Sequence, residues 1–377
     1  MRSPETVLTP ANRWIVSARY DLALFFGGAI ASLAILALYF GVQVPIILLW
    51  WVWLLGFDGP HIAAAFTRTY ADSQEWRTRS RLLLISLLTF AVGPVFLVLS
   101  LATHSELPFL LFLALSAFYG YYHIVRQHYG FLALYKAVNR DTGKPDFLID
   151  QWSLYVGCWT PYFYLLLTHP KARELMRLGV AGPRGGLERA AVIGLIVLWV
   201  ISILVFLGRA LSRPRINAPK VAYWLVTVLL YGLIYFFIAR FEPTYGSSNG
   251  PDQDFLLLSI LVTLFHNIQY LGLVWLHNRN RYGGGDPAFG FASTLNRSAV
   301  RFLMGCGLFS VVYLLFACWT GVFPRCSVFA GGRIGPFTMS QIGLCLWWGL
   351  AINHYYLDQK IWRVRGDPVL KRNLGLA

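Results

Sequence analysis

The sequence predicts an all-α fold, a polytopic transmembrane bundle of about ten helices, on three observations. The 377 residues are 57% hydrophobic and only 13% charged, with a mean hydropathy of +0.55; a water-soluble domain carries roughly a quarter charged residues. The apolar residues fall in runs of the length a helix needs to cross a bilayer. The charges gather in the short stretches between those runs.

Taken in order, the runs centre on residues 21–41, 45–66, 82–102, 108–128, 149–168, 190–208, 220–239, 255–277, 302–320 and 338–358. The second is interrupted by Gly56, Asp58, Gly59 and Pro60, which weaken a regular helix. The whole chain, 1–377, reads as a single integral-membrane domain, with little sequence left over for a soluble one. Residues 1–19 contain Arg2, Arg13 and Arg19 and no apolar stretch, so they read as a cytoplasmic segment rather than a cleaved leader. Residues 359–377 form a basic cytoplasmic tail.

Basic residues in loops favour the cytoplasmic side. With both termini cytoplasmic, the inside loops carry Arg68, Arg77, Arg79 and Arg81, then Arg126, Lys136, Arg140 and Lys144, then Arg209, Arg213, Arg215 and Lys220. Arg279, Arg281, Arg297 and Arg301 follow. One outside loop, with Lys171, Arg173, Arg177, Arg184 and Arg189, runs against the pattern. The net charge of +15 is accounted for by loops facing anionic lipid, so no nucleic-acid partner is expected. The expected location is a bacterial inner membrane, crossed many times; the oligomeric state is left open. Of five cysteines, only Cys326 lies in a loop and none forms a CxxC pair, which argues against a disulfide framework or a thiolate zinc site. The Gly283–Pro287 stretch lacks the strand and lysine of a phosphate loop.

Six of the eight histidines sit in or at the ends of apolar runs: His61, His123, His128, His266, His277 and His354. An ionisable group in lipid needs a partner or a task. His104 and His169 fall in outside loops and read as surface residues. His61 follows Asp58-Gly59-Pro60, where the Asp58 carboxylate could ligate a metal or orient the imidazole. His123 and His128 differ by about 140° around a regular helix, so His128 suits a second metal, a substrate or the membrane interface. His277 lies about 16 Å along the axis from His266, too far to share a metal, and reads as solvated. His354 and Asp358 stand one turn apart on one face. The candidate metal ligands are therefore His61, His123, His128, His266, His354, Asp58 and Asp358, with the first shared site expected from His61, His123, His266 and His354. Aromatics near them, such as Tyr121, Tyr270, Tyr355 and Trp347, suit an interfacial belt or a substrate pocket.

Imidazoles with one or two carboxylates suit iron and also zinc, copper or manganese. Asp58-Gly59-Pro60-His61 and His128-Tyr129-Gly130 resemble segments of the bacterial membrane β-carotene dioxygenases of the bacteriorhodopsin-related-protein type. More broadly, the pattern is similar to that of histidine-rich integral-membrane non-haem iron oxygenases, although their HxxHH boxes are absent. The resemblance covers short patches. It implies iron, oxygen chemistry and an oxidoreductase acting on an apolar, lipid-like substrate; it does not name carotene as that substrate. The competing readings are a proton-coupled transporter using intramembrane His and Asp, a haem protein with two axial histidines, and a transferase with one basic histidine.

Overall fold

The computed structural model describes residues 12–141, 143–176, 178, 182–183, 185–240, 252–320 and 332–376. Arg177, Arg184 and Cys326 lie outside the described residues. Helix makes up 82% of the structure, which establishes the all-α class. Every apolar run of the sequence is helical: α1 Ala18–Gly41, α2 Ile46–Thr67, α3 Ser73–Ala102, α4 Leu107–Val138 and α5 Lys144–Thr168. Then follow α6 Gly186–Leu211, α7 Ala218–Arg240, α8 Asp252–Tyr282, α9 Ala299–Thr320 and α10 Met339–Ile361. Eight of these are long and apolar enough to cross a membrane; α5 and α10 fall short of that standard. The chain is a multi-pass membrane protein by this measure. A two-stranded ribbon, Arg333–Ile334 with Phe337–Thr338, leads into α10.

The chain divides into two compact units. The first, Met1–Ile46 with Val125–Phe265, holds α1, the end of α4, α5 to α7 and the start of α8. Its core is aromatic: Phe206 stacks on Trp224 at 4.0 Å, and Phe25 meets Phe131 at 4.7 Å. Where its helices end, buried charges are matched. Lys136 pairs with Asp150, Lys220 with Asp141 at 2.6 Å and Asp150 at 3.2 Å, and Arg209 and Arg213 with Asp146.

The second unit, Ile47–Ile124 with His266–Ala377, holds α2, α3, the start of α4, the end of α8, α9 and α10. One core cluster joins Ala63, Ala64 and Ala65 of α2 to Tyr270 and Val274 of α8 and Phe302 and Cys306 of α9. Small residues let these helices approach closely, the usual device where lipid leaves no hydrophobic drive between helices. At Gly59 the approach is tightest, since a Cβ would fall 2.5 Å from Ser310 Oγ. Leu84, Val95, Met304 and Leu308 point outward, as lipid contact requires.

The local sequence explains the irregular second helix. Pro60 has no N–H to close a regular turn, and the preceding turn widens, so that the Gly59 N–H reaches the Leu54 carbonyl five residues back. The α10 start is fixed by a reciprocal cap between Thr338 and Gln341.

Two loop assignments and one cysteine expectation change. Arg68, expected as a solvated loop charge, is buried, with its guanidinium 4.1 Å above the Trp362 ring. Burial pulls its pKa below the ordinary arginine range, against the opposing charges of Tyr282 and Glu75. His169 is buried rather than at the surface; it caps the short helix Pro170–Leu175, and burial lowers its pKa to about 4. Cys318, near the end of α9, is disulfide-bonded, whereas Cys158, Cys306 and Cys345 are buried and form no disulfide.

Candidate metal centre

The four helices that carry His61, His123, His266 and His354 are α2, α4, α8 and α10, and within the second unit the four imidazoles converge. One nitrogen from each lies within 4.8 Å of all the others. Opposed ligands of a single ion at metal–nitrogen distances of about 2.1 Å stand about 4.2 Å apart, so a small contraction suffices. All four are buried, at 4% exposure or less. The rings meet edge to face, with centroids 4.9 Å apart for His61 and His266, 4.5 Å for His61 and His354, and 5.0 Å for His123 with each of His266 and His354. His61 Nε2 and His266 Nε2 approach to 3.2 Å.

Each ring is held by its neighbours. The widened turn before Pro60 presents the Asp58 carbonyl, and His61 Nδ1 donates to it at 3.0 Å. That bond fixes the Nδ1–H tautomer and leaves Nε2 as the free lone pair, the arrangement expected of a metal-binding histidine. Tyr355 stacks on the His123 ring at 4.4 Å. The hydroxyl of Tyr270 donates to Asp358 Oδ1 at 2.6 Å. The other oxygen of Asp358 faces His354 Nε2 at 3.6 Å and His123 Nε2 at 3.8 Å. Those separations exceed a hydrogen bond. They suit a carboxylate that either joins the ligand set or steadies it.

Buried polar atoms are normally paired. Here His123 Nε2 and both ring nitrogens of His354 have no hydrogen-bond partner among the described residues. Such nitrogens are costly left bare, and one shared ion could take His123 Nε2 and one of the two on His354. The donor set therefore fits a transition metal.

The remaining sequence candidates divide. Asp358 adjoins the group. The Asp58 carboxylate stays outside it, 3.9 Å from His61 Nδ1, and accepts from Asn267 Nδ2 at 3.4 Å; the peptide oxygen of Asp58, not its side chain, orients the ligand. His128 belongs to the first unit, where Nδ1 meets the Tyr223 hydroxyl at 2.9 Å and Nε2 the Tyr231 hydroxyl at 3.0 Å. With both nitrogens engaged it has no lone pair to spare for a metal. His277 is not solvated: it is buried, with Nδ1 2.9 Å from Asn278 Oδ1 and Nε2 3.4 Å from Asn373 Nδ2.

Sequence reasoning placed Tyr270 in an aromatic belt or substrate pocket and missed its hydrogen bond to Asp358, although it stands one helical turn from His266, the spacing that puts two side chains on one face. Nor did it foresee the stacking of Tyr355 on His123, which no spacing within one helix reveals. No protein-family model, no curated protein and no solved structure matches this chain.

Proposed function

We propose that the chain is an integral-membrane non-haem iron oxygenase, or a related oxidoreductase, acting on an apolar lipid-like substrate. The observation that carries the reading is the convergence of four buried imidazoles whose ring nitrogens include three without hydrogen-bond partners among the described residues. His61, His123, His266 and His354 would hold the ion, with Asp358 beside them, and iron when bound would supply the oxygen chemistry. The protein's own part is to orient and exclude. The Asp58 carbonyl aims His61, Tyr355 backs His123, and the Tyr270 hydroxyl holds Asp358 in place. The apolar cluster around Ala63–Ala65, Val274 and Phe302 keeps bulk water away. A substrate reaching such a centre from lipid is itself apolar.

A haem reading fits less well. A haem would need a broad flat space beside its histidines, whereas here four imidazoles offer nitrogens all within 4.8 Å of one another. We also propose the orientation with both termini cytoplasmic. In its favour, disulfides persist in oxidising compartments, and Cys318 then lies at the non-cytoplasmic end of α9.

The deciding experiment is elemental analysis of the purified full-length protein after anaerobic loading with ferrous iron, followed by oxygen uptake with membrane lipid extracts. Stoichiometric iron and lipid-dependent oxygen uptake are expected. A protein that retains no stoichiometric metal ends the reading, and bound iron with no oxygen uptake on any lipid fraction ends its oxygenase part.

A further inference from the structure

The first unit contains a cavity of about 410 Å³ that the metal-centre reading does not use. Three stretches of chain build it: the segment before α1 (Asn12, Arg13), the end of α4 (Asn139, Arg140, Asp141), and the connection from α6 into α7 (Arg213, Arg215, Lys220). Its size lies in the ordinary range of ligand pockets, about 300–1,000 Å³.

The walls are pinned. The Arg13 N–H donates to Asn139 Oδ1 at 2.8 Å, and Asn139 Nδ2 donates back to the Arg13 carbonyl at 2.9 Å. The Ala218 N–H donates to Asn12 Oδ1 at 2.8 Å. Asn12 and Arg140 hold left-handed backbone, with φ of 71° and 54°. Such backbone is uncommon outside glycine, and for arginine it needs support from its surroundings.

The charge is unbalanced. Five cationic side chains line the cavity and one carboxylate, Asp141, opposes them. Lys220 and Arg213 are already occupied by Asp141, Asp150 and Asp146. Arg13, Arg140 and Arg215 make no ion pair among the described residues. Positive loops beside a membrane are ordinary; that rule does not by itself gather three exposed arginines around one pinned concavity. Guanidinium groups recognise oxyanions through paired N–H donors. Val138, Ile216 and Val221 supply an apolar part of the same wall, which suits an amphiphile.

We propose that this cavity binds a phosphate-bearing anion through Arg13, Arg140 and Arg215. The source is either the headgroup of an anionic phospholipid or a free phosphate compound, and basic pockets at the ends of membrane helices are suited to the former. The proposal does not depend on the metal centre.

The test uses purified full-length protein in neutral detergent, with thermal unfolding and titration at fixed ionic strength. The probes are dioctanoyl phosphatidylglycerol, dioctanoyl phosphatidylcholine and inorganic phosphate. Saturable binding of phosphatidylglycerol alone identifies a lipid headgroup; binding of inorganic phosphate identifies a free phosphate site. The triple variant Arg13→Gln, Arg140→Gln, Arg215→Gln should weaken that binding at least tenfold while its metal content stays at the wild-type value. The matched triple variant of exposed arginines elsewhere, Arg297→Gln, Arg301→Gln, Arg363→Gln, should bind as the wild type does. No saturable binding of either anionic probe overturns the proposal. So do equal binding of phosphatidylcholine, unchanged binding by the cavity variant, and equal loss in both variants.

Discussion

Two groups of buried histidine in this molecule have opposite chemistry. In the first unit, His128 is wholly buried, and each of its nitrogens meets a tyrosine hydroxyl, those of Tyr223 and Tyr231. In the second, the four clustered histidines are buried at 4% exposure or less, yet His123 and His354 leave three ring nitrogens without hydrogen-bond partners among the described residues. Burial alone therefore does not identify a ligand. The distinction lies in whether the lone pairs are spent, because a satisfied imidazole has none left and an unpartnered one in a cluster could hold an ion.

The sharpest way to break this contrast is to remove the imidazoles one at a time. Alanine at His61, His123, His266 or His354 should reduce bound metal to a small fraction of wild type, measured by elemental analysis. His128→Phe should leave metal stoichiometry intact. Equal losses at both kinds of site would erase the distinction.

A smaller effect is expected around the ligands. Tyr270→Phe removes the donor to Asp358, and Asp358→Asn removes the charge facing His123 and His354. Each should lower metal affinity about 10–100-fold, the usual consequence of losing a group that steadies a ligand. Competition against a chelator of known affinity measures it, and an unchanged affinity in both variants would confine the centre to the four histidines.

His128→Phe should instead cost stability, about 1–3 kcal/mol, because it strands two buried tyrosine hydroxyls. Denaturation in mixed micelles reads this directly. A variant with wild-type stability would show that the tyrosines find other partners.

The smallest expected effect concerns acid. Burial raises the Asp141 pKa, but the hydrogen bond and charge of Lys220, with Lys136 and Arg213, outweigh it and hold the carboxyl below its ordinary value. The charged form is thus favoured in the folded state. The stabilisation is complete above the unfolded pKa of about 3.9 and disappears as pH falls through the lower folded value. Asp141→Asn should flatten the pH dependence of stability below about pH 4, with metal content unchanged at neutral pH. An unaltered acid limb would remove Asp141 from that account.

Much of this was legible in the sequence, and for local reasons. An apolar run announces its own length, and a histidine inside one announces its cost, so the ten helices and the four converging histidines could be read residue by residue. What escaped depends on distant partners. His128 is satisfied by tyrosines 95 and 103 positions away. Arg68 reads as a loop charge until Trp362 is found beneath it. Asp58 was read through its carboxylate, but the widened turn before Pro60 turns its peptide oxygen toward His61 instead.

That widened turn also sets an angular phase. A regular helix advances about 100° per residue, and a wide turn absorbs roughly one residue without advancing the helix correspondingly. In α2 the buried tryptophans Trp50 and Trp53 precede the turn and His61 follows it. Along a regular helix Trp50, eleven residues before His61, would stand within about 20° of its face, and the wide turn shifts that match toward Trp53, eight residues before it. Deleting one residue from 54–58 would therefore close the turn to a regular one and leave the two halves nearly in phase, whereas inserting one there would rotate the tryptophan face by about 100° relative to His61. In this helix the position of a candidate metal ligand and the side that meets the membrane are one geometric quantity.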